Sequence, residues 1–333
     1  MFKKTFLFIT TILTGTSAST GYDAPGSLKG AVDASIFLDW FNHAEKYVHV
    51  KGPVVLDLIP GVFLIIQAVL FLKDRKKLKA LFAVLALLAN MIGAFLVIQY
   101  AYPVASQIAA WTPSHVPSDW ISLKDNWLKY IGLHNLMSVL GWLSFVVTFF
   151  VAERKNTDER QLSRFLNFSK NSLLFFLTFT LGLSAARLYD FLFFPITYEI
   201  SGVTFIELHR PLDLVIRIVG PILFTFIVCL ELLLATLFFI EKSKIKGLLI
   251  ITVLIFLLCD TFIALQYNRP INDLFLTWTP ATIPANWKSI RDEWLSYHLY
   301  RDIFMLLGFV SILLVYFAGK NSGRKIVIFD RKG

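Results

Sequence analysis

The sequence predicts an all-α integral membrane protein with eight transmembrane helices, arranged as two parallel four-helix bundle repeats. Composition is the first observation behind this. Hydrophobic residues make up 56% of the 333 positions, charged residues 17%, and Phe alone occurs 32 times. The apolar residues gather into spans of about 20, the length of helix that crosses the hydrocarbon core of a bilayer. The second is charge placement: Lys3-Lys4, Lys73–Lys79, Arg154–Lys170, Lys242–Lys246 and Lys320–Lys332 lie at alternate ends of those spans. The third is that the sequence repeats itself at the shift that carries Tyr100 onto Tyr267, with a slip of about six residues between the matching regions.

The repeat is plainest in a Trp- and Pro-rich connector. The same shift carries Gln99 onto Gln266, Pro103 onto Pro270, and Trp111-Thr112-Pro113 onto Trp278-Thr279-Pro280. It also carries Pro117, Trp120, Asp125, Trp127, Tyr130 and Gly141 onto Pro284, Trp287, Asp292, Trp294, Tyr297 and Gly308. Near the start of each half, Gly15, Ser17-Ala18 and Tyr22-Asp23 match Gly182, Ser184-Ala185 and Tyr189-Asp190. Such self-similarity is the signature of a tandem duplication.

Met1 to Ser19 has the Lys-then-apolar-then-small pattern of a signal peptide. Its match to the start of the second half favours a first membrane helix. Residues 24–52, with Trp40, His43 and His49, suit a turn or two of helix at the membrane surface. Further spans follow at Val54–Leu72, Leu78–Tyr102 and Leu133–Ala152, and in the second half at Leu173–Phe194, Leu212–Ile240, Lys246–Tyr267 and His298–Ala318. The predicted organisation is therefore a first repeat over 1–152, a charged linker over 153–170, a second repeat over 171–319 and a basic tail over 320–333. Placing all basic loops inside puts both termini in the cytoplasm and both Trp-rich connectors outside the cell membrane. Four spans per half make the repeats parallel, unlike the inverted repeats of many transporters.

The net charge of +9 belongs to these loops rather than to a nucleic-acid surface. Cys229 and Cys259 both lie in apolar spans without metal or redox spacing, so neither disulfide nor zinc chemistry is indicated. Within spans, Arg187, Asp190 and Asp260 need partners or a cavity.

Both copies keep the Trp and Pro frame, but their polar residues differ. Asn268, Asn272 and Asp273 stand where the first copy has Ala101, Ala105 and Ser106, and His298 stands where it has Ile131. Arg291 faces Lys124 and Arg301 faces His134. A single functional site therefore belongs in the second half. After Asn286, nothing breaks a helix from Trp287 onward. Residues seven apart on it fall within about 20° of one another, so Trp287, Arg291, Trp294, His298 and Asp302 form one stripe edged by Arg301.

The run Asn268-x-Pro270-Ile271-Asn272-Asp273, then Trp278, Pro284, Trp287 and Arg291-x-x-Trp294-x-x-x-His298-x-x-Arg301 resembles a family of four-helix membrane proteins that includes the anthrone oxygenases of polyketide biosynthesis. The resemblance implies a four-helix bundle and, for some members, oxidation of an anthrone to a quinone with no evident cofactor. The first half looks like a degenerate copy that lacks both Asn, the Asp and the His.

Together these readings give an expected site. His298, with a reference pKa of about 6.5, removes a proton next to a carbonyl. Arg291 and Arg301 stabilise the enolate, which reacts with dioxygen. Asn268, Asn272 and Asp273 bind a polar group or cap the connector helix, and Trp287 and Trp294 stack on the substrate or anchor the interface. The stripe is expected to line a pocket, with Arg291 and His298 about 10 Å apart along the axis. His209 is a weaker candidate. The rival reading is a non-catalytic carrier or accessory subunit; for either, the partners are the bilayer and a lipophilic small molecule.

Overall fold

The computed structural model describes residues 2–19, 33–52, 57–151, 161–185, 188, 197 and 199–318. Arg187, Asp190, the paired Tyr-Asp dipeptides, the linker residues 152–160 and the tail 319–333 lie outside that set. Among the described residues every regular element is helical. In order these are α1 (Phe2–Ser19), α2 (Ala34–Gly52), α3 (Ile59–Lys73), α4 (Lys77–Leu96), α5 (Tyr102–Ile108), α6 (Trp120–Phe150), α7 (Gln161–Ala185), α8 (Gly202–Ile240), α9 (Lys244–Ile263), α10 (Arg269–Thr277) and α11 (Trp287–Phe317). The stretch read as a linker is thus helical from Gln161, and the surface turn predicted near Trp40 is a 19-residue helix.

Among the described residues, five stretches are long and apolar enough to cross a membrane: Lys77–Ile108, Trp120–Phe150, Gly202–Ile240, Lys244–Thr277 and Trp287–Phe317. Only 17% of the most apolar window is buried in the first and fourth of these, against 39% in α6 and α11. α6 and α11 therefore sit inward, while α4 and α9 turn Met91, Ile92, Phe95, Leu258 and Phe262 outward. Surfaces this apolar suit lipid rather than water. The more polar α1 and α7 pack inward, α1 on α3, α6 and α7, and α7 on α11, while the short α3 turns Val62, Ile65, Ile66, Val69 and Leu72 outward. Neighbouring side chains, rather than lipid, select the Thr and Gly content of α1 and α7.

Some elements separated by the offset of the sequence matches share a boundary. Single π-helical turns occupy Val97–Ala101 and Ala264–Asn268, each leading into a short helix with Pro103 or Pro270 near its start. Proline has no N–H, so the ladder cannot continue four residues back; Tyr102 and Arg269 instead donate five back, to Val97 and Ala264. α6 and α11 both run for 31 residues. α3 and α8 both end in a left-handed residue, Arg75 and Lys242, each at φ 57°. The hydrogen bonds Lys76 N to Phe71 O and Ser243 N to Phe238 O then close both ends alike.

At the centre, Trp142 and Phe309 meet edge to face with ring centroids 5.9 Å apart. Gly15 and Gly182 press on this pair, and a Cβ added at Gly182 would lie 2.6 Å from Trp142. Only glycine lets α7 approach that closely. A second aromatic cluster closes the connector end, where Phe37, Trp40, Phe41, Trp127, Phe205, Phe275, Trp278 and Trp294 are buried together. α2 is tied to this layer by Asp39, which accepts the backbone N–H of Ser201 at 2.9 Å and so caps α8.

Candidate functional site

The site grows from the π-turn that Pro270 imposes. That turn places Asn268 inward, 1% exposed, where its Nδ2 donates to the Trp294 carbonyl at 3.0 Å. One turn on, Asn272 bridges two helices: its Oδ1 accepts from Trp294 Nε1 at 2.6 Å, and its Nδ2 donates to Asp213 Oδ1 at 3.0 Å. Asp213, 4% exposed, accepts at its other oxygen from Arg217 Nε at 2.6 Å. Arg217 also pairs with Asp273 at 2.6 Å. On the far side Arg301 Nε reaches Asp260 at 2.9 Å, and its Nη1 lies 3.5 Å from Asn268 Oδ1. A continuous polar chain thus links α8, α10, α11 and α9 inside an apolar envelope. Buried groups of this kind require such partners.

Two buried atoms of this neighbourhood have no hydrogen-bond partner among the described residues: His209 Nε2 and Arg217 Nη2. They flank Asp213 at four-residue spacings, so all three lie on one face of α8. The His209 ring is edge-on to Phe275 at 5.2 Å and to Trp294 at 5.1 Å, and stacks with Phe205 at 5.5 Å. In the first half the same aromatic arrangement occurs with Phe41 in place of the histidine: Phe41 meets Trp127 at 5.3 Å and Phe37 at 5.7 Å. There the position of the imidazole is held by a phenyl ring with no nitrogen.

The structure brings most of the predicted residues together at the connector end of α11. His298, 7% exposed, packs edge-on against Trp294 with centroids 4.1 Å apart. Trp294 is surrounded by Phe205, His209, Phe275 and His298, so this part of the stripe is a packed seam rather than the wall of a pocket. Arg291, 3% exposed, lies 4.9 Å over the Trp287 ring and pairs with Asp292 at 2.7 Å. Its counterpart Lys124, also 3% exposed, lies 5.4 Å over Trp120 and 3.7 Å from Asp125. That pair of arrangements belongs to the shared frame. Arg301 is engaged with Asp260, as His134 is with Asp57 at 3.2 Å. Asn90 Nδ2 lies 3.4 Å from the same Asp57 oxygen, so the first half carries a small polar group of its own.

Sequence reasoning missed Asp213 and Arg217, although His209, Asp213 and Arg217 stand four residues apart at the mouth of an apolar run. Among the described residues no three His, Cys, Asp or Glu side chains converge as metal ligands do. A small cleft lies elsewhere, between Thr14, Leu64, Asn90, Ser138 and Trp142, with about 20 Å³ of space, enough for one water. No family model, curated protein or solved structure matches the chain.

Proposed function

We propose that the chain is a cell-membrane protein of eight spans in two parallel four-helix copies, with both termini and the basic loops cytoplasmic. Its second copy takes the polar end of a lipophilic aromatic molecule, anthrone- or quinol-like, at His209 and Arg217. The observation that carries this reading is the pair of buried, unpartnered atoms, His209 Nε2 and Arg217 Nη2, in a network otherwise bonded throughout. Their backbone positions are about 12 Å apart along the helix, at 1.5 Å per residue, a length that matches a fused-ring molecule. Arg217 keeps 25% of its side chain exposed, so a ligand reaches it from the lipid flank.

The chemistry follows from the atoms. An imidazole nitrogen without a partner accepts a proton from a carbon beside a carbonyl, and a guanidinium N–H holds the enolate oxygen. The enolate then passes two electrons to dioxygen, and loss of water from the resulting hydroperoxide leaves the quinone. Arg291 and Arg301, committed to Asp292 and Asp260, hold the frame rather than the enolate, and His298 fixes the Trp294 ring. The duplication is supported by π-turns, helix ends and stacked tyrosines that recur at the offset of the sequence repeat; Tyr100–Tyr130 and Tyr267–Tyr297 both have centroids 4.8 Å apart.

The test is an oxygen-electrode and fluorescence titration of protein in lipid nanodiscs with a hydroxyanthrone. Quenching of tryptophan under argon, followed by uptake of one dioxygen per quinone formed, is the expected result. Binding without uptake identifies a carrier, and absence of both defeats the reading.

A further inference from the structure

Glu231 lies on α8, nine residues before its end at Ile240. At 1.5 Å per residue that is about 13 Å from the basic loop, close to the middle of a hydrocarbon core about 30 Å thick. The residue is 1% exposed, and neither carboxylate oxygen has a hydrogen-bond partner among the described residues. Leu234, Ala235 and Phe238 follow it on the same buried face, three, four and seven residues on. That face joins the central apolar cluster with Leu174, Leu177 and Leu181 of α7, Ile250 and Val253 of α9, and Phe309 of α11.

The first half has no such group. The identical helix ends after α3 and α8 set the register, matching Phe71 to Phe238 and so Leu64, 2% exposed, to Glu231. The surroundings are reversed. Leu64 borders a cleft with Thr14, Asn90, Ser138 and Trp142, whereas those positions in the second half are Leu181, Leu257, Met305 and Phe309. The carboxyl has therefore been placed in the less polar of two equivalent positions.

Titratable groups on the packed elements are engaged elsewhere. Lys170 of α7 pairs with Glu241, and Lys170 and Lys246 each lie 5.8 Å over the Phe238 ring. Asp260 of α9 holds Arg301, Lys244 lies at the start of α9 in the basic loop, and Tyr316 of α11 shares a hydrogen bond with Thr178. α2 and α10 meet α8 at its opposite end, through Asp39 and Asn272. An ionised carboxylate with no counter-charge at this depth is strongly disfavoured.

We propose that Glu231 is a proton-binding site inside the membrane. Its carboxyl is held as the neutral acid by the apolar cluster, and its O–H bond breaks only when water reaches it to take the proton. The ligand is a proton; the site is separate from the His209–Arg217 neighbourhood and stands whether or not that reading holds.

Dicyclohexylcarbodiimide, which partitions into lipid and reacts with protonated carboxyls, tests this in proteoliposomes by peptide mass mapping. The expected result is an adduct on Glu231 that is absent from Glu231→Gln, unaffected by sodium or potassium, and not formed by a water-soluble carbodiimide. No adduct in the folded protein overturns the proposal, as does protection by either cation or labelling by the water-soluble reagent. Thermal unfolding supplies an independent check, because an acid neutral in the fold ionises on unfolding and stability falls as pH rises. From the unfolded carboxyl value of about 4.3 upward, wild type loses stability with rising pH more steeply than Glu231→Gln, which keeps the shape of the neutral acid. Parallel loss in both proteins contradicts the proposal.

Discussion

Asn272 joins three helices through one amide, accepting from Trp294 and donating to Asp213. Replacing it with leucine strands an indole N–H and a carboxylate oxygen in a buried setting. Each such group costs about 1–3 kcal/mol. Asn272→Leu is accordingly expected to lower the midpoint of thermal unfolding in detergent. The same substitution at the matching position, Ala105→Leu, meets no polar partner and reports only packing. His134 gives a second residue-scale test. It is buried against Asp57 and Asn135, so His134→Ala leaves Asp57 without its closest partner and destabilises the fold by about 1–3 kcal/mol. An unchanged melting curve for His134→Ala means that the pair contributes nothing.

At the scale of elements, the approach of α7 to Trp142 depends on Gly182. A methyl group there sits 2.6 Å from the indole, inside any real contact, so Gly182→Ala forces α7 outward at about 1–3 kcal/mol. Gly132 meets nothing within 4 Å, and Gly132→Ala is the control; equal melting temperatures for the two variants contradict the packing described. Asp39 adds a charged hydrogen bond to the apolar contact between α2 and α8. Partial burial raises the pKa of Asp39, but hydrogen bonds from Thr204 and from the Ser201 backbone and hydroxyl, with His43 nearby, outweigh it and hold the pKa below its ordinary 3.8. A carboxyl depressed in the fold stabilises it above the unfolded value, and that stability disappears as pH falls through the folded value. α2 should therefore gain hydrogen exchange below about pH 4 in wild type. In Asp39→Asn the exchange of α2 should be high already at neutral pH and insensitive to acid.

For the whole molecule, the five membrane-length helices found among the described residues were legible because long apolar runs and Pro-imposed turns write themselves locally. Asn268 and Asn272 were legible for a related reason: they stand in a frame whose other copy has alanine. The network they join was not legible. Asp213 and Arg217 lie far before the connector in the chain and meet it only through the packing of α8 on α10. Pairing of Arg291 with its neighbour Asp292, and of Arg301 with Asp260, likewise needed coordinates to be recognised as framework. Topology has a direct test: cysteines at Ser114 and Thr282 should label from outside, and those at Lys76 and Lys244 only after permeabilisation. Labelling at position 76 in intact cells rules out the proposed orientation.

The central claim is that the second half binds its ligand through His209, where the first half has phenylalanine. The His209→Phe variant restores the phenyl arrangement that Phe41 already makes with Trp127, so the fold should tolerate it. Titration of wild type and this variant with hydroxyanthrone in nanodiscs, alongside their melting curves, is the measurement that decides. The account predicts an unchanged or higher melting temperature with binding weakened at least tenfold, about 1.4 kcal/mol, and no dioxygen uptake. Binding and uptake equal to wild type in a folded His209→Phe protein contradict it.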